Sequence, residues 1–313
     1  MKKEQEQFSE TFQEITPGKA IIEADYKKVI IQSSTIESVS YFIGLINELK
    51  ELSDFNFKLF IKPENTFKVK SKNRQICIEL GQIIKDNTKS NVSLDEPEYS
   101  FVVEELDTQK LIYLEIRGAT KLNHRNYSVS NNEFITSDYA RAIVESSEWK
   151  DNGVLLDPFC HEGYIIIEAI LRQLNVGVGY FKGKELDFEV STPKVKKIKS
   201  EIKCYSIDMS EIKFAKQNIK LSKLSKYVRF GFHDLEDLDF KIKEETIDYI
   251  ITALPKKLDV DKLFFQLEYI MKKTGKITLF TNHEIKQQSE KYGFKIINKK
   301  QIGAKTIYNL VKA

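Results

Sequence analysis

Cysteine and histidine are too few and too scattered in this chain for metal chemistry. Cys77, Cys160 and Cys204 are odd in number and far apart, and only four histidines accompany them. A zinc site needs such residues at short, regular spacings, so no metal is expected. The thiols read as reduced, which suits a cytoplasmic protein. Long apolar runs are also missing. Nothing approaches the ~20 residues that cross a bilayer, so no membrane partner is expected. Met1 to Glu14 is polar and mixed in charge, so neither a signal nor a transit peptide is expected. Excess charge of one sign is absent as well: 49 basic residues face 46 acidic ones, a net charge of +3. Any polyanion must therefore meet a local patch rather than the whole surface. No strand is followed by G-x-G-x-x-G, which argues against a dinucleotide-dependent oxidoreductase. There are no internal repeats.

What is present is an ordinary globular composition, 41% hydrophobic and 30% charged over 313 residues. That length suggests about two domains of ~150 residues. Strands are expected at Ala20–Ile22 and Val29–Gln32. Apolar residues at Val39, Phe42, Ile43, Ile46 and Leu49 follow a helical spacing. Phe67–Lys70 alternates apolar and basic residues, and a helix is expected over Arg74–Lys85. Tyr99–Glu104 and Leu111–Ile116 read as strands of a small antiparallel sheet. From residue 137 onward strand and helix alternate: helix 137–148, strand 154–157, helix 165–174, strand 203–207, helix 210–220, strand 227–231. Strand 247–252, helix 259–272, strand 276–281 and helix 284–292 follow, and strands 293–298 and 305–311 close the chain as a hairpin. Such alternation implies a mostly parallel sheet with helices on both faces. A surface loop is expected between Gly177 and Ser200.

Val154-Leu155-Leu156-Asp157-Pro158-Phe159-Cys160-His161-Glu162-Gly163 is the most informative stretch. An apolar strand runs into an acid, a tight turn and a glycine that opens a helix, the layout of a nucleotide-type site at a strand's carboxyl end. Asp208 and Asp234 end the next two strands. A carboxylate offers two acceptor oxygens, so Asp208 suits a ribose diol and Asp234 a base amino group. Acids after strands also cap helices. His161 and His233 read as solvated turn residues.

This constellation resembles the class I S-adenosylmethionine-dependent methyltransferases. Asp157-Pro158-Phe159-Cys160-x-x-Gly163-x-Ile165-x-Ile167-Glu168-Ala169 is similar to the cofactor motif of THUMP-domain RNA methyltransferases, D-P-[FM]-C-G-[ST]-G-[TG]-I-[LI]-I-E-A. Upstream, Phe67-Lys68-Val69-Lys70, Ile78-Glu79-Leu80-Gly81 and Val92–Glu98 resemble a THUMP domain in the same order. Leu122-Asn123-His124-Arg125-Asn126-Tyr127 is similar to that family's L-H-K-R-G-Y linker. The resemblance spans about residues 18 to 313. It implies a shortened ferredoxin-like part (1–60), a THUMP-like RNA-binding domain (61–118), a linker (119–136) and a Rossmann-like methyltransferase domain (137–313) with a seven-stranded sheet. It implies S-adenosylmethionine at Asp157, Pro158, Phe159, Cys160, Gly163, Asp208 and Asp234. It also implies tRNA as partner, with Lys68, Lys70, Lys72, Arg74, Lys121, His124 and Arg125 meeting phosphates. The family methylates N2 of a guanosine in tRNA.

The chain departs from that pattern twice. His161 and Glu162 stand where the family has glycine and serine or threonine. A β-carbon at a left-handed position costs ~1–2 kcal/mol, and Glu162 adds negative charge near the cofactor's carboxylate, so cofactor binding is expected to weaken. After the fourth strand the family carries (Asp/Asn)-Pro-Pro-(Tyr/Phe). The acid or amide orients the amine's lone pair toward the sulfonium methyl, and the aromatic ring stacks on the flipped base. Here the segment reads Ala253-Leu254-Pro255-Lys256, with no acceptor, no stacking face and an added cation. Losing one such anchor costs on the order of 10²-fold in rate. The expected function is that of a tRNA-binding homologue, catalytically silent or strongly impaired, with a partner protein subunit as a further expectation. The alternative is an active guanine-N2 methyltransferase with an atypical loop, drawing on Asp259 or Asn282.

Overall fold

The computed structural model describes residues 11–33, 35–122, 135–150, 152–177, 180, 185–186, 188 and 198–313. His124 and Arg125, most of the linker, and Lys194, Lys196 and Lys197 of the surface loop lie outside the described residues. The chain divides into two compact units, 1–122 with 182–190, and 123–181 with 191–313. Among the described residues no helix is long and apolar enough to cross a membrane.

In the first unit, β1 (Phe12–Thr16) and β2 (Lys19–Ile22) pair antiparallel. Helix α1 (Tyr26–Gln32) follows, with Asp25 accepting from the Lys27 backbone N–H at 2.9 Å. The strand expected at Val29–Gln32 is thus helical. Its short apolar run fits either state, and the cap at Asp25 decides. The converse holds for the expected helix across Val39–Leu49, most of which is strand β3 (Ser40–Ile46). Its pairing with the later strand Lys110–Glu115 slips between Phe42 and Gly44. That irregularity breaks the two-residue alternation and leaves a spacing that imitates a helix. With β4 (Thr66–Lys70), β5 (Asn91–Val92), β6 (Tyr99–Glu105) and β7 (Lys110–Glu115) it forms a sheet ordered β3-β7-β6-β4-β5. This sheet is mixed rather than antiparallel, because β4 runs parallel to both β5 and β6. Helix α2 (Arg74–Thr88) supplies the crossover a parallel pair requires. It packs Ile76, Leu80 and Ile84 into a core shared with Phe57, Phe67 and Phe101.

The second unit is built on a seven-stranded sheet ordered β10-β9-β8-β11-β12-β14-β13. Its members are β8 (Val154–Asp157), β9 (Glu201–Ser206), β10 (Val228–Phe232), β11 (Ile247–Ala253), β12 (Met271–Thr281), β13 (Phe294–Ile302) and β14 (Lys305–Lys312). All neighbours from β10 to β12 are parallel, and β14 runs antiparallel to both β12 and β13. Helices α3 (Ser137–Ser146), α4 (Tyr164–Leu174) and α5 (Met209–Leu221) contribute to one core, with Leu155 and Ile251. Helices α6 (Leu238–Lys241), α7 (Val260–Ile270) and the Ile285 that precedes α8 (Lys286–Lys291) contribute to the other, with Leu156 and Ile250. Adjacent strand residues point to opposite faces, which is why strands covered on both sides read as continuous apolar runs. Strand order reverses between β8 and β11, the place where open α/β sheets hold ligands.

Candidate functional site

Asp157 ends β8 and is almost fully buried. Its Oδ1 accepts from the Thr252 hydroxyl at 2.6 Å and the Phe159 backbone N–H at 3.2 Å. Burial pushes its carboxyl up to about 7, against the opposing pull of Thr252 and of His161. Pro158, Phe159 and Cys160 follow it into the interior. Phe159 joins the core on one face of the sheet and Cys160 the core on the other. The Pro158 carbonyl faces His233 Nε2 at 3.2 Å. Burial raises the Cys160 thiol, which sits beside Cys204.

Gly163 opens α4 at φ +82°. A β-carbon there would lie 3.2 Å from that of Ala215 and 3.4 Å from Ile219 Cδ1. Glycine is therefore required twice, by the left-handed backbone and by the close approach of α5. The retained motif glycine serves helix packing whatever else it does.

His161 and His233, expected as solvated turn residues, are both buried. His161 has φ +45°, so the left-handed turn persists although glycine is gone. Its Nδ1 lies 2.9 Å from Glu211 Oε1 and its Nε2 2.9 Å from the Ala253 carbonyl oxygen. Both partners can only accept, so the geometry suits an imidazolium with a proton on each nitrogen. Burial pulls the His161 pKa down, but Glu211, the Ala253 carbonyl and Asp157 outweigh it and the net shift is upward. Burial likewise pushes Glu211 up, and its bonds to His161 and the Ser206 hydroxyl bring the net shift below the usual carboxylate range. Composition and periodicity pointed to none of Glu211, Ser206 or Thr252. A signal for Glu211 did exist: Asp208-x-x-Glu211 is the spacing of a helix-capping box, but Glu211 turns to His161 and Ser206 instead.

Asp208 is exposed and caps α5, its Oδ1 accepting from the Ser210 backbone N–H and hydroxyl, both at 2.7 Å. Those bonds lower its pKa. Asp234 is also exposed and lines an open crevice of about 590 Å³ with Ile207, Leu235, Lys257, Leu258 and Asp259. Asp259 caps α7 as well. Asn282 is exposed and does not line this crevice.

The segment Ala253-Leu254-Pro255-Lys256 is not simply a loop. Ala253 ends β11, and both it and Leu254 are buried in the two cores. The Pro255 carbonyl lies 2.8 Å from His283 Nε2. Lys256 is exposed, and its charge, after burial, helps depress the pKa of Lys305. Neither an acceptor side chain nor an aromatic face is found in the segment, and two cations lie near it. Among the described residues no cluster of three or more His, Cys, Asp or Glu is arranged to hold a metal.

Of the basic residues, Lys72 and Arg74 are exposed at the start of α2, and Lys121 is exposed with φ +52°. Lys68 reaches the Leu94 carbonyl at 3.4 Å. Lys70 is bonded to Glu115 at 2.5 Å, which offsets its charge.

A reversed parallel sheet with an acid at the end of its first strand and two more beyond it defines a class I methyltransferase-type domain. Residues 125–275 match the family described as UPF0020, RMKL-like, methyltransferase domain. The chain is similar to curated tRNA guanine-N2 methyltransferases. A tRNA (guanine(6)-N2)-methyltransferase of Methanocaldococcus jannaschii is 26% identical over 310 residues, covering 84% of this chain and 81% of that protein. Among solved structures, TrmN from Thermus thermophilus has a TM-score of 0.62 at 16% identity, covering 87% of this chain and 82% of that one. SMU.472 in complex with SAH has a TM-score of 0.67 at 17% identity, covering 88% and 84%. At such identities the structural likeness establishes the fold.

Proposed function

We propose that the chain is a tRNA-binding relative of the guanine-N2 methyltransferases in which methyl transfer is silent or strongly impaired. The observation that carries this reading is the end of β11. Ala253 is buried and offers no side-chain acceptor, and Lys256 replaces a stacking ring with a cation. An exocyclic amine placed there would have nothing to orient its lone pair, and a positively charged sulfonium would be repelled. The fit of S-adenosylmethionine is also reduced on the turn, where an imidazole side chain stands in place of bare backbone. Residues 61–118 serve in this reading as a THUMP-like unit, with Lys68, Lys72, Arg74 and Lys121 toward tRNA phosphates, and 137–313 as the methyltransferase-type domain. The protein would work in the cytoplasm, where tRNA is.

A second reading, an active enzyme, is favoured by one observation: Asp259 lines the crevice and is a carboxylate acceptor. Incubating the protein with methyl-labelled S-adenosylmethionine and an unmodified tRNA transcript separates the two. Background counts with salt-sensitive tRNA retention support the silent relative. Label in the transcript, abolished by Asp259→Ala, which removes the acceptor, establishes the enzyme instead. No tRNA retention at low salt would remove both.

A further inference from the structure

The turn carrying His161 and the open crevice sit along one row of strand ends, and they differ in what space they leave. His161 joins the turn after β8 to the carbonyl that ends β11, the two strands between which the sheet order reverses, and also to Glu211 on α5. That end is filled by a buried side chain with both nitrogens engaged. The other end, beyond β9 and β10, stays open between the apolar side chains of Ile207, Leu235 and Leu258, with Asp234 at its wall.

We infer that His161 is the chain's own occupant of the amino-acid end of this crevice, which therefore accepts an aminopurine nucleoside and turns away the same nucleoside carrying an amino-acid tail. This rests on the resemblance to the methyltransferases behind the proposed function, which puts the base amino group at Asp234, a residue that lines the crevice, and the ribose diol toward Asp208, just after the lining residue Ile207. With the nucleoside so placed, the tail runs along the row of strand ends toward the switch point between β8 and β11, where the imidazole is. Moving the imidazole out would break both its bonds and leave the half-buried Glu211 carboxylate without its cation. The tail's own carboxylate would then meet Glu211. Charge decides further among tail-less ligands. Asp234, Glu236, Asp237 and Asp259 line the crevice against Lys257 and Lys262, and Lys262 is already bonded to Glu236. A phosphate is repelled there, so a neutral nucleoside is favoured over a nucleotide.

Calorimetric titration of the full chain with adenosine, adenosine monophosphate and S-adenosylmethionine tests this. The wild type is expected to bind adenosine on the order of tenfold or more tightly than either of the others. His161→Gly, which suits the left-handed turn, is expected to gain affinity for S-adenosylmethionine by a similar factor while adenosine affinity stays constant. His161→Asn also tolerates that backbone and removes the cation; it carries the test should the glycine variant melt early. Wild-type affinity for S-adenosylmethionine equal to or above that for adenosine overturns the inference, as does an unchanged ratio in both variants. Binding of none of the three ligands overturns it too. The labelled-methyl assay keeps the two proposals apart. Tight S-adenosylmethionine binding without transfer defeats the occupant role and leaves silence at β11 standing, whereas transfer to tRNA defeats silence itself.

Discussion

His161 and Gly163 stand two positions apart, both in the left-handed region, and they show opposite answers to one backbone demand. Gly163 has no room for a β-carbon, so Gly163→Ala should destabilise the fold by roughly 1–3 kcal/mol through strain and overpacking against Ala215. Chemical denaturation checks this. His161 accepts the strain and offsets it with two hydrogen bonds, a buried one to the Ala253 carbonyl and a partly buried one to Glu211. The same cluster makes stability depend on pH. The folded-state pKa of Asp157 lies at about 7 against an ordinary 3.8, so the folded protein binds that proton more tightly and stability falls as pH rises between those values. His161 is raised from 6.5, so its contribution is full below that value and is lost as pH climbs through its folded pKa. Glu211 is lowered from 4.5, so its contribution is lost on acidification. The melting temperature should therefore be highest near pH 4.5, where Glu211 still contributes and little of the Asp157 contribution is lost, and decline as pH rises through 7. Asp157→Asn, which keeps the Oδ1 acceptor for Thr252, should flatten that decline, and a persisting decline of the same size would assign it to His161 alone.

At the scale of elements, the starts of helices carry most of the chemistry. Helix α5 begins at Met209, just after its cap Asp208, and brings Glu211 back under the β8 turn; α7 begins beside Asp259; α2 begins at Arg74 with Lys72 just before it. Backbone N–H groups at a helix start favour anions, which suits Lys72 and Arg74 to a shared phosphate contact. Lys70, two residues earlier, is held by Glu115. Filter binding of tRNA across a salt series should show this difference. Arg74→Ala is expected to weaken binding and reduce the salt slope by about 1, while Lys70→Ala should change little. Equal losses from both would mean that the ion pair opens for RNA.

For the whole molecule, the sheet order brings four strand ends together although the residues on them are up to about a hundred positions apart, and it also decides what repair would take. Supplying the missing acceptor and ring through Ala253→Asp with Lys256→Tyr changes β11 but leaves His161 bonded to the carbonyl of residue 253. That pair of substitutions is expected to give background methyl transfer, and the triple variant with His161→Gly the first activity above background. The labelled-methyl assay measures both. Activity from the pair alone would show that the imidazole is no obstacle to the donor.

The order of elements in the second unit was legible from the chain because its strands are continuous apolar runs between amphipathic helices. The acids that end β8, β9 and β10 could be placed by the same alternation. That the segment after β11 carries neither an acceptor side chain nor an aromatic ring was legible too, since it is a matter of residue type. The start of the chain was not, because a cap at Asp25 and a register slip near Gly44 exchanged helix for strand in segments too short for periodicity to decide. Nor was the fate of His161. Side-chain burial at a turn depends on which distant groups close over it, and Glu211 and Ala253 reach it only once α5 and β11 are packed on either side of β8.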